Sequence, residues 1–234
     1  MKEEEYLKKY LNPLLLEEGL QKLKQGIPVQ YIVGNVNFYG NEIKVNENVL
    51  IPRFETEELV YKTIERLKNK KNLDIVDLGT GSGCIAITLA KELKCSIDAV
   101  DISKEALNVA KENAINNNVS INFYLGDMLD PLTKRYDCII SNPPYIAYDE
   151  EIMDIVKNNE PHIALYADND GLACYEKILS NCKNYLKENA LIAFEIGYKQ
   201  AKDVEKLAHK YLDCDVTIEK DMQQKDRFIF INVK

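Results

Sequence analysis

From Leu73 onward, short apolar runs alternate with segments whose apolar residues recur at helical spacing. The predicted strands are residues 75–78, 97–100, 121–125, 136–140, 191–196, 216–219 and 228–233. The predicted helices fall near residues 84–93, 104–116, 171–187 and 200–212. Strands and helices alternating at this spacing favour crossover connections. We therefore predict an α/β fold with a doubly wound, mainly parallel seven-stranded sheet that helices cover on both faces.

The last predicted strand is expected to run against its neighbours. Only residues 221–227 separate the last two strands. A parallel crossover needs about a dozen residues or more, so this connection is too short for one. We therefore predict that the last strand is antiparallel.

The first part of the chain has a different pattern. Residues 1–27 mix Lys and Glu with leucines and are interrupted by a proline and a glycine, which predicts one or two short amphipathic helices. Next, β-prone runs at residues 36–39 and 42–45 flank Gly40-Asn41, a two-residue turn signal. This pattern predicts a β-hairpin that turns at Gly40-Asn41.

Thr56 marks the start of the next predicted helix. A threonine followed by two glutamates is typical of an N-cap and an acidic first turn, and apolar residues at helical spacing come after it. We therefore expect a short helical N-terminal segment at residues 1–27, a hairpin linker at 28–55, and one main α/β domain at 56–234.

Composition narrows the class of protein. A hydrophobic fraction of 46%, without an apolar run of roughly 18 residues, predicts a globular protein with no membrane span. The acidic N-terminus lacks the apolar region of a secretory signal, so we expect a cytoplasmic location. The formal charge of −8 argues against direct nucleic-acid binding and fits a basic protein partner better. None of these features indicates an oligomeric state.

The cysteines do not suggest a metal site. Six are spread along the chain, and no two have the C-x-x-C spacing of a zinc site. Only two histidines accompany them. We expect no metal, and we interpret the cysteines as small buried apolar residues in a reducing compartment.

A glycine-rich turn follows the first strand of the main domain. Between that strand and the next helix lie Gly79, Thr80, Gly81, Ser82 and Gly83. Glycines let the backbone turn sharply and let a ligand approach closely, while the helix N-terminus offers N–H groups to an anion. The G-x-G-x-G spacing misses the dinucleotide fingerprint by one residue and lacks the lysine of a P-loop.

Acidic residues end the next two predicted strands. Asp101 closes the strand at 97–100, where an acid can accept both hydroxyls of a ribose. Asp127 follows the strand at 121–125, beside Met128, where an adenine would lie. Ligands of open α/β sheets bind at the carboxyl ends of the strands. The three strand ends together therefore predict a pocket for an adenosyl ligand.

The fourth predicted strand runs into Asn142, Pro143, Pro144 and Tyr145. The prolines fix φ and remove two N–H donors, so the carbonyls and the Asn142 side chain become preset acceptors. An amide or amino NH₂ group needs such acceptors. We predict that Asn142 and the Pro143 carbonyl accept its two N–H bonds, while the ring of Tyr145 packs on its planar face.

This loop also accounts for the absence of an obvious base. An amide nitrogen is a poor nucleophile because its lone pair is delocalised. Donation of both protons to fixed acceptors raises its electron density and aims it at an electrophilic methyl group, so position and electrostatics perform the catalysis. The alternative is that the two prolines only end a strand, and the glycine loop in the same pocket argues against it.

These motifs resemble those of a known family. The glycine loop and the NPPY motif are similar to those of class I S-adenosylmethionine-dependent methyltransferases, which have a Rossmann-like fold. The chain from Pro28 onward resembles the PrmC/HemK enzymes, which methylate the glutamine of the GGQ motif in peptide chain release factors. The similar blocks are residues 28–34, 38–40, 50–57, 77–83, 142–146 and 194–197. The blocks before Gly79 distinguish the PrmC/HemK enzymes from DNA adenine methyltransferases, because the latter share the NPPY motif but lack these blocks.

The resemblance implies a protein-glutamine N-methyltransferase of translation termination that uses S-adenosyl-L-methionine. It implies cofactor contacts at residues 79–83, Asp101, Met128 and Asn142, and binding of the target glutamine at residues 142–145. Family members have a sizeable helical N-terminal domain, whereas about 27 residues precede Pro28 here. The resemblance therefore implies a shortened segment at this end.

Two residues depart from the family pattern. Phe54 stands where the family usually has proline, and His162 stands where it has arginine. Neither belongs to the glycine loop or the NPPY motif. We interpret His162 as a surface or packed histidine, and Arg53 as an internal anchor for the hairpin.

Other functions stay open at this point. The NPPY motif also fits a glutamine methyltransferase acting on a ribosomal protein, or an amino methyltransferase acting on adenine in nucleic acid. The acidic charge argues against the nucleic-acid substrate. A catalytically silent cofactor-binding scaffold is a third alternative, and the intact Asn142, Asp101 and glycines argue against it.

Overall fold

The computed structural model describes residues 2–234. The strands are β1 (Asn35–Phe38), β2 (Asn41–Lys44), β3 (Asp74–Leu78), β4 (Ser96–Asp101), β5 (Asn122–Leu125), β6 (Tyr136–Ser141), β7 (Leu186–Glu195), β8 (Cys214–Lys220) and β9 (Asp226–Val233). The α-helices are α1 (Glu3–Tyr10), α2 (Leu16–Lys24), α3 (Val29–Val33), α4 (Phe54–Leu67), α5 (Cys84–Leu93), α6 (Lys104–Asn116), α7 (Asp154–Asn159), α8 (Ala173–Asn181) and α9 (Ala201–Tyr211). Within residues 2–234, none of the helices has the length and apolar character needed to cross a bilayer.

The main sheet has seven strands in the order β5-β4-β3-β6-β7-β9-β8. The pairs from β5 to β7 are parallel, and β9 runs antiparallel to both β7 and β8. This confirms the predicted mainly parallel sheet with an antiparallel last strand. The chain moves outward from β3 to β5 and returns to β6 on the other side of β3. The carboxyl ends of β3 and β6 therefore flank a topological switch point, where ligands of such sheets bind.

The sheet separates two apolar cores. Along β3, Ile75 packs into the core on one face, and Val76 and Leu78 pack into the core on the other. Helices α4, α5 and α6 cover the first face, while α8 and α9 cover the second. Full burial of one such aliphatic side chain stabilises the fold by about 1.5–3 kcal/mol. These cores hold the strand ends in fixed positions.

The hairpin forms as predicted, but its turn lies one residue earlier. Phe38 pairs with Asn41, so Tyr39 and Gly40 are the central turn residues, and the prediction of Gly40-Asn41 was wrong. Both have positive φ, 50° and 79°, as a type I′ turn requires. Asn41 stays in the strand because its buried side chain donates a hydrogen bond to Thr88 Oγ1. A tertiary contact therefore sets the register.

The helix after the hairpin also begins earlier than predicted. α4 starts at Phe54 with Arg53 at the N-cap, so Thr56 lies inside the first turn and does not cap the helix. The side chain of Thr56 is buried and bonds to Glu195, which is remote in sequence. That distant partner is why Thr56 could not be assigned correctly from local pattern.

Two helices have the predicted limits, whereas one predicted helix and one predicted strand have different limits. α5 and α6 have the predicted bounds of 84–93 and 104–116. The predicted helix at 171–187 is instead divided, because α8 ends at Asn181 and a 3₁₀ helix, Cys182–Tyr185, leads into β7. β7 starts at Leu186 rather than 191, where the polar residues after Leu186 obscured the strand pattern.

Asn113 on α6 ties the hairpin to the glycine loop. Its Oδ1 accepts the N–H of Lys44 at 2.8 Å. Its Nδ2 donates to the carbonyls of Lys44 at 3.0 Å and Ser82 at 2.9 Å. The side chain is fully buried, so these three bonds satisfy it completely. One amide thus fixes the end of β2 and the loop before α5 together.

We expect Asn113→Ala to lower the free energy of unfolding by about 2–4 kcal/mol, because it leaves buried backbone groups without partners. Urea denaturation of the purified protein measures this change. Asn116→Ala is the matched control, since Asn116 lies on the same helix with an exposed side chain. Equal losses in the two variants would contradict the role of Asn113.

Candidate active site at the carboxyl ends of the strands

A cavity of about 280 Å³ opens at the carboxyl ends of β3 to β6. Four chain segments at these strand ends contribute to its wall: residues 79–82, Asp101 to Ser103, Gly126 to Met128, and Asn142 with Pro144. Residues 48–52 and 161–168 contribute further lining from outside the sheet. The structure thus brings the three predicted strand ends and the loop of residues 142–145, called the proline loop below, to one cavity.

The glycine loop is held by the neighbouring strand. The N–H groups of Gly79 and Thr80 both donate to the carbonyl of Val100 at 2.9 Å. Gly79 and Gly81 have positive φ, 69° and 54°, and a Cβ at either position would meet nothing within 4 Å. The loop therefore presents bare backbone to the cavity, which a ligand can approach closely.

Gly83 has a different role from the rest of the loop. It does not line the cavity but forms the N-terminal boundary of α5. A Cβ there would come within 3.2 Å of Ala110 Cβ on α6. Gly83 thus allows close packing of two helices, while the other four loop residues face the cavity.

Asp101 organises the loop beside it. Its Oδ2 accepts the N–H of Gly81 at 2.8 Å, and its Oδ1 accepts the N–H of Ser103 at 2.9 Å. Burial raises the pKa of this carboxyl, while the backbone hydrogen bonds oppose the rise. Each carboxylate oxygen keeps a further lone pair that can accept another hydrogen bond. A pair of vicinal hydroxyls is a suitable donor for this carboxylate.

Asp127 and Met128 form the third part of the wall. Asp127 lines the cavity, and its Oδ2 lies 2.6 Å from Lys177 Nζ. Its charge is therefore balanced by a lysine of α8. Met128 follows with a φ of 52°, a conformation that turns the chain sharply after β5. The polarizable thioether side chain is suited to contact with a flat ring.

The proline loop divides its residues between the cavity and the interior. Asn142 and Pro144 line the cavity, whereas Pro143 and Tyr145 are not among its lining residues. Pro143 is buried. The hydroxyl of Tyr145 donates to Glu195 Oε1 at 3.3 Å, and burial raises the pKa of this phenol. The loop conformation is thus supported from below by a buried carboxylate.

Glu195 at the end of β7 is a site residue that the sequence did not single out. It is 1% exposed, and its Oε2 accepts the hydroxyl proton of Thr56 at 2.7 Å. Thr56 Oγ1 in turn accepts from Asn142 Nδ2 at 3.1 Å. Burial raises the pKa of Glu195 to about 7, against the lowering effects of Thr56 and Arg227. The only sequence signal was its place in the block at residues 194–197.

Asp77 is a second buried carboxylate near the cavity. It is fully buried, and Thr80 Oγ1 donates to its Oδ2 at 2.6 Å. Among residues 2–234, its Oδ1 is the one buried side-chain oxygen or nitrogen without a hydrogen-bond partner. Burial raises the pKa of Asp77 to about 7. An acid two residues before the first glycine of a glycine-rich turn was the available sequence signal.

Arg53 and Glu160 fix the segments that cover the cavity. Arg53 Nη2 lies 2.5 Å from Glu160 Oε1, and the N–H of Ile51 donates to Glu160 Oε2 at 3.0 Å. This contact places Arg53 in a structural role. His162 is exposed, and its Nε2 lies 2.9 Å from the carbonyl of Lys157.

Comparison with known proteins gives a family match. The family model for the methyltransferase small domain matches residues 59–162. The release factor glutamine methyltransferase of Lactococcus lactis is 47% identical over 221 residues, covering 93% of this chain and 82% of the relative. The corresponding protein of Bacillus subtilis is 44% identical over 217 residues, covering 88% and 75% of the two chains.

A solved structure shares the fold. A methyltransferase from Pyrococcus furiosus superposes with a TM-score of 0.65 at 17% identity, covering 84% of this chain and 90% of that one. This similarity is one of architecture. It agrees with the observed fold.

The buried carboxylate Glu195 should make stability depend on pH. Burial raises its pKa to about 7. Its contribution to stability is therefore fully present below its unfolded pKa of about 4.3 and is lost as pH rises through about 7. We expect the free energy of unfolding of the wild type, relative to Glu195→Gln, to fall by roughly 2 kcal/mol between about pH 5 and pH 8.

Denaturant unfolding at both pH values measures this difference. Glu188→Gln is the control, because Glu188 is an exposed glutamate on the same strand. We expect that variant to follow the wild type at both pH values. If wild type and Glu195→Gln had the same pH dependence, Glu195 would not carry the raised pKa.

Proposed function

Because the chain belongs to the family of release factor glutamine methyltransferases, we propose that it methylates the glutamine of the GGQ motif in peptide chain release factors. The methyl group comes from S-adenosyl-L-methionine and goes to the side-chain amide nitrogen. At the site, the proposal rests on the orientation of the Asn142 side-chain amide, whose Nδ2 donates a hydrogen bond to Thr56 Oγ1. Its Oδ1 is thus left to accept a hydrogen bond from an N–H group.

The residues around the cavity fit the cofactor. Bare backbone at Gly79 and Gly81 leaves room for a ligand against the loop. Asp101 has lone pairs for the hydroxyls of a ribose, and Met128 lies at the next strand end, where an adenine ring would fit. Thr80, Ser82 and Asp127 complete the proposed cofactor wall. When bound, the cofactor supplies a methyl group on a positively charged sulfur.

The proline loop fits an amide substrate. Among residues 2–234, neither Asn142 Oδ1 nor the carbonyl of Pro143 accepts a hydrogen bond from the protein. Two acceptors on consecutive residues match the two N–H bonds of a primary amide. Pro144 lines the cavity beside them, and Tyr145 supports the loop from the interior side. We propose that Asn142 and the Pro143 carbonyl bind the glutamine amide in this way, within the loop formed by residues 142–145.

Catalysis then follows from position and electrostatics. Asn142 and Pro143 hold both protons of the amide, which increases the electron density on its nitrogen and limits its rotation. The same contacts orient the nitrogen towards the cavity. No protein base is required before the nitrogen–carbon bond forms in exchange for the methyl carbon–sulfur bond of the cofactor, whose sulfur would leave as a neutral thioether. The surplus proton leaves the nitrogen afterwards.

The alternative substrates make different demands on the protein. A ribosomal-protein glutamine would use the same acceptors, so geometry at Asn142 does not separate it from a release factor. Adenine in a nucleic acid would need phosphate contacts from basic residues, which the net charge of −8 does not favour. A silent scaffold would bind cofactor without turnover. The sequence identity to release factor glutamine methyltransferases favours the release factor.

The proposed function is tested by mass spectrometry of a release factor incubated with the enzyme and isotope-labelled cofactor. We expect one labelled methyl group on the glutamine of the GGQ motif. A release factor with alanine in place of that glutamine is the substrate control. A ribosomal protein and an adenine-containing oligonucleotide are run in parallel, and preferential labelling of either would overturn the proposal.

Asn142→Ala should abolish methyl transfer, because it removes one of the two acceptors for the amide. Cofactor affinity should stay within a small factor of wild type, as measured by isothermal titration calorimetry. Asn169→Ala, at an exposed asparagine outside the cavity, is the control. Turnover of release factor by Asn142→Ala at the wild-type rate would remove Asn142 from its proposed role.

Asp101→Ala should weaken cofactor binding by about tenfold or more, since both ribose contacts and the support of Gly81 depend on this carboxylate. Calorimetry measures the dissociation constant. Asp130→Ala is the control, because Asp130 is exposed and does not line the cavity. Unchanged affinity in Asp101→Ala would show that the ribose binds elsewhere.

A further inference from the structure

Three side chains from three separate elements form one chain of hydrogen bonds. Glu195 ends β7, Thr56 lies in the first turn of α4, and Asn142 follows β6. Thr56 Oγ1 lies 2.7 Å from Glu195 Oε2 and 3.1 Å from Asn142 Nδ2. Glu195 and Thr56 are buried, with exposed fractions of 1% and 3%, and both Thr56 and Asn142 line the cavity, whereas Glu195 does not.

The chemistry of the first two groups fixes the direction of this chain. An ionised carboxylate only accepts hydrogen bonds, so the single proton of the Thr56 hydroxyl points to Glu195. Thr56 Oγ1 can then only accept from the third group. The Asn142 side chain has one end that donates and one that accepts, so its Nδ2 must face Thr56. Its Oδ1 is therefore directed away from Thr56.

We propose that Thr56 and Glu195 are positioning residues that hold the Asn142 side chain with its oxygen, and not its nitrogen, available to the substrate. The inference rests on the proposed function, because an amide substrate presents N–H donors. An Asn142 side chain rotated by half a turn would oppose its own NH₂ group to the NH₂ group of the substrate. The two positioning residues thus act through Asn142 and do not contact the reacting atoms.

The surroundings of Glu195 keep this arrangement rigid. Tyr145 donates its hydroxyl to Glu195 Oε1 at 3.3 Å, and Tyr175 donates to the backbone carbonyl of Glu195 at 2.8 Å. Gln200 Nε2 donates to the carbonyl of Tyr145 at 2.9 Å, which fixes the loop after Asn142. Both ends of the hydrogen-bonded chain are therefore anchored by contacts that do not involve the cavity.

Protonation of Glu195 would reverse the donor and acceptor roles along the chain of hydrogen bonds from Glu195 through Thr56 to Asn142. A protonated carboxyl can donate to Thr56 Oγ1, which releases the Thr56 proton to point at Asn142 and favours the rotated side chain. Burial raises the pKa of Glu195 to about 7. The charged and titratable groups that face it from the packed elements are Glu55, Cys84, Tyr145, Tyr175 and Arg227. Activity should therefore fall as pH decreases through this range.

The first test removes the hydroxyl of Thr56. We expect Thr56→Val to lower kcat by about tenfold to a hundredfold, because Asn142 Nδ2 would lose its acceptor and turn away. The dissociation constant of the cofactor should stay within about threefold of wild type if the effect lies in the hydrogen-bonded chain. Thr63→Val is the matched control, since Thr63 is buried on the same helix and its hydroxyl bonds only to the carbonyl of Leu59.

Two further variants separate positioning from packing. Thr56→Ser keeps the hydroxyl and should restore kcat to near the wild-type value. Glu195→Gln should remove the decrease of kcat near pH 7, since the variant has no carboxyl at this position to take up a proton. A kcat of Thr56→Val equal to wild type, a failure of Thr56→Ser to restore it, or an unchanged pH profile in Glu195→Gln would each overturn the proposal.

A measurement without substrate distinguishes this inference from the proposed function. In ¹H–¹⁵N spectra, the side-chain NH₂ signal of Asn142, assigned by its loss in Asn142→Ala, should be protected from solvent exchange. Thr56→Val should abolish that protection, and Thr63→Val should not. If the signal is insensitive to Thr56→Val, the positioning inference is wrong. If the wild type instead shows the protected signal but labels no release factor, the proposed function fails alone.

Discussion

The site depends on the burial of two carboxylates on either side of one strand. β6 lies between β3 and β7 in the sheet, and Asp77 and Glu195 occupy the ends of those neighbours. A buried carboxylate is costly unless it accepts hydrogen bonds, and each of these two accepts at least one. Asp77 takes the hydroxyl of Thr80, and Glu195 takes the hydroxyl of Thr56. Each buried acid therefore supports one wall of the cavity, the glycine loop on one side and the proline loop on the other.

Segments before the main sheet complete the site without being part of the sheet. The hairpin packs its apolar face into the same core as β3 and α5. Asn113 joins the hairpin to the glycine loop. The ion pair of Arg53 and Glu160 joins the two segments outside the sheet that line the cavity, residues 48–52 and residues 161–168. The residue that orients Asn142 also comes from this region, because Thr56 lies at the start of α4. The hairpin, the segment that follows it and the start of α4 thus help to build the cavity at the strand ends.

Most of the fold could be predicted from the sequence because it rests on local periodicity. The alternation of strands and helices, the short last connection and the bounds of α5 and α6 all follow from spacing. The residues at three strand ends were likewise predictable, since parallel strands bring their ends to one edge. Thr56 was predicted to be a helix cap because a threonine before glutamates usually is one. Its actual partner is 139 positions away, and no local pattern carries that information.

The difference between Asn142 and Glu195 shows what a motif can and cannot convey. The proline loop indicates acceptors, because its composition removes donors. The orientation of a carboxamide is not a property of its own sequence, however, since both ends have nearly the same size and shape. Only a fixed partner of known polarity can decide it, and here a carboxylate two residues removed in the hydrogen-bonded chain does so. A neutral apolar residue at Glu195 would relieve a buried charge and would leave that choice undetermined. Because its pKa is raised to about 7, ionisation of Glu195 opposes folding, so the charge acts in orientation and not in stability.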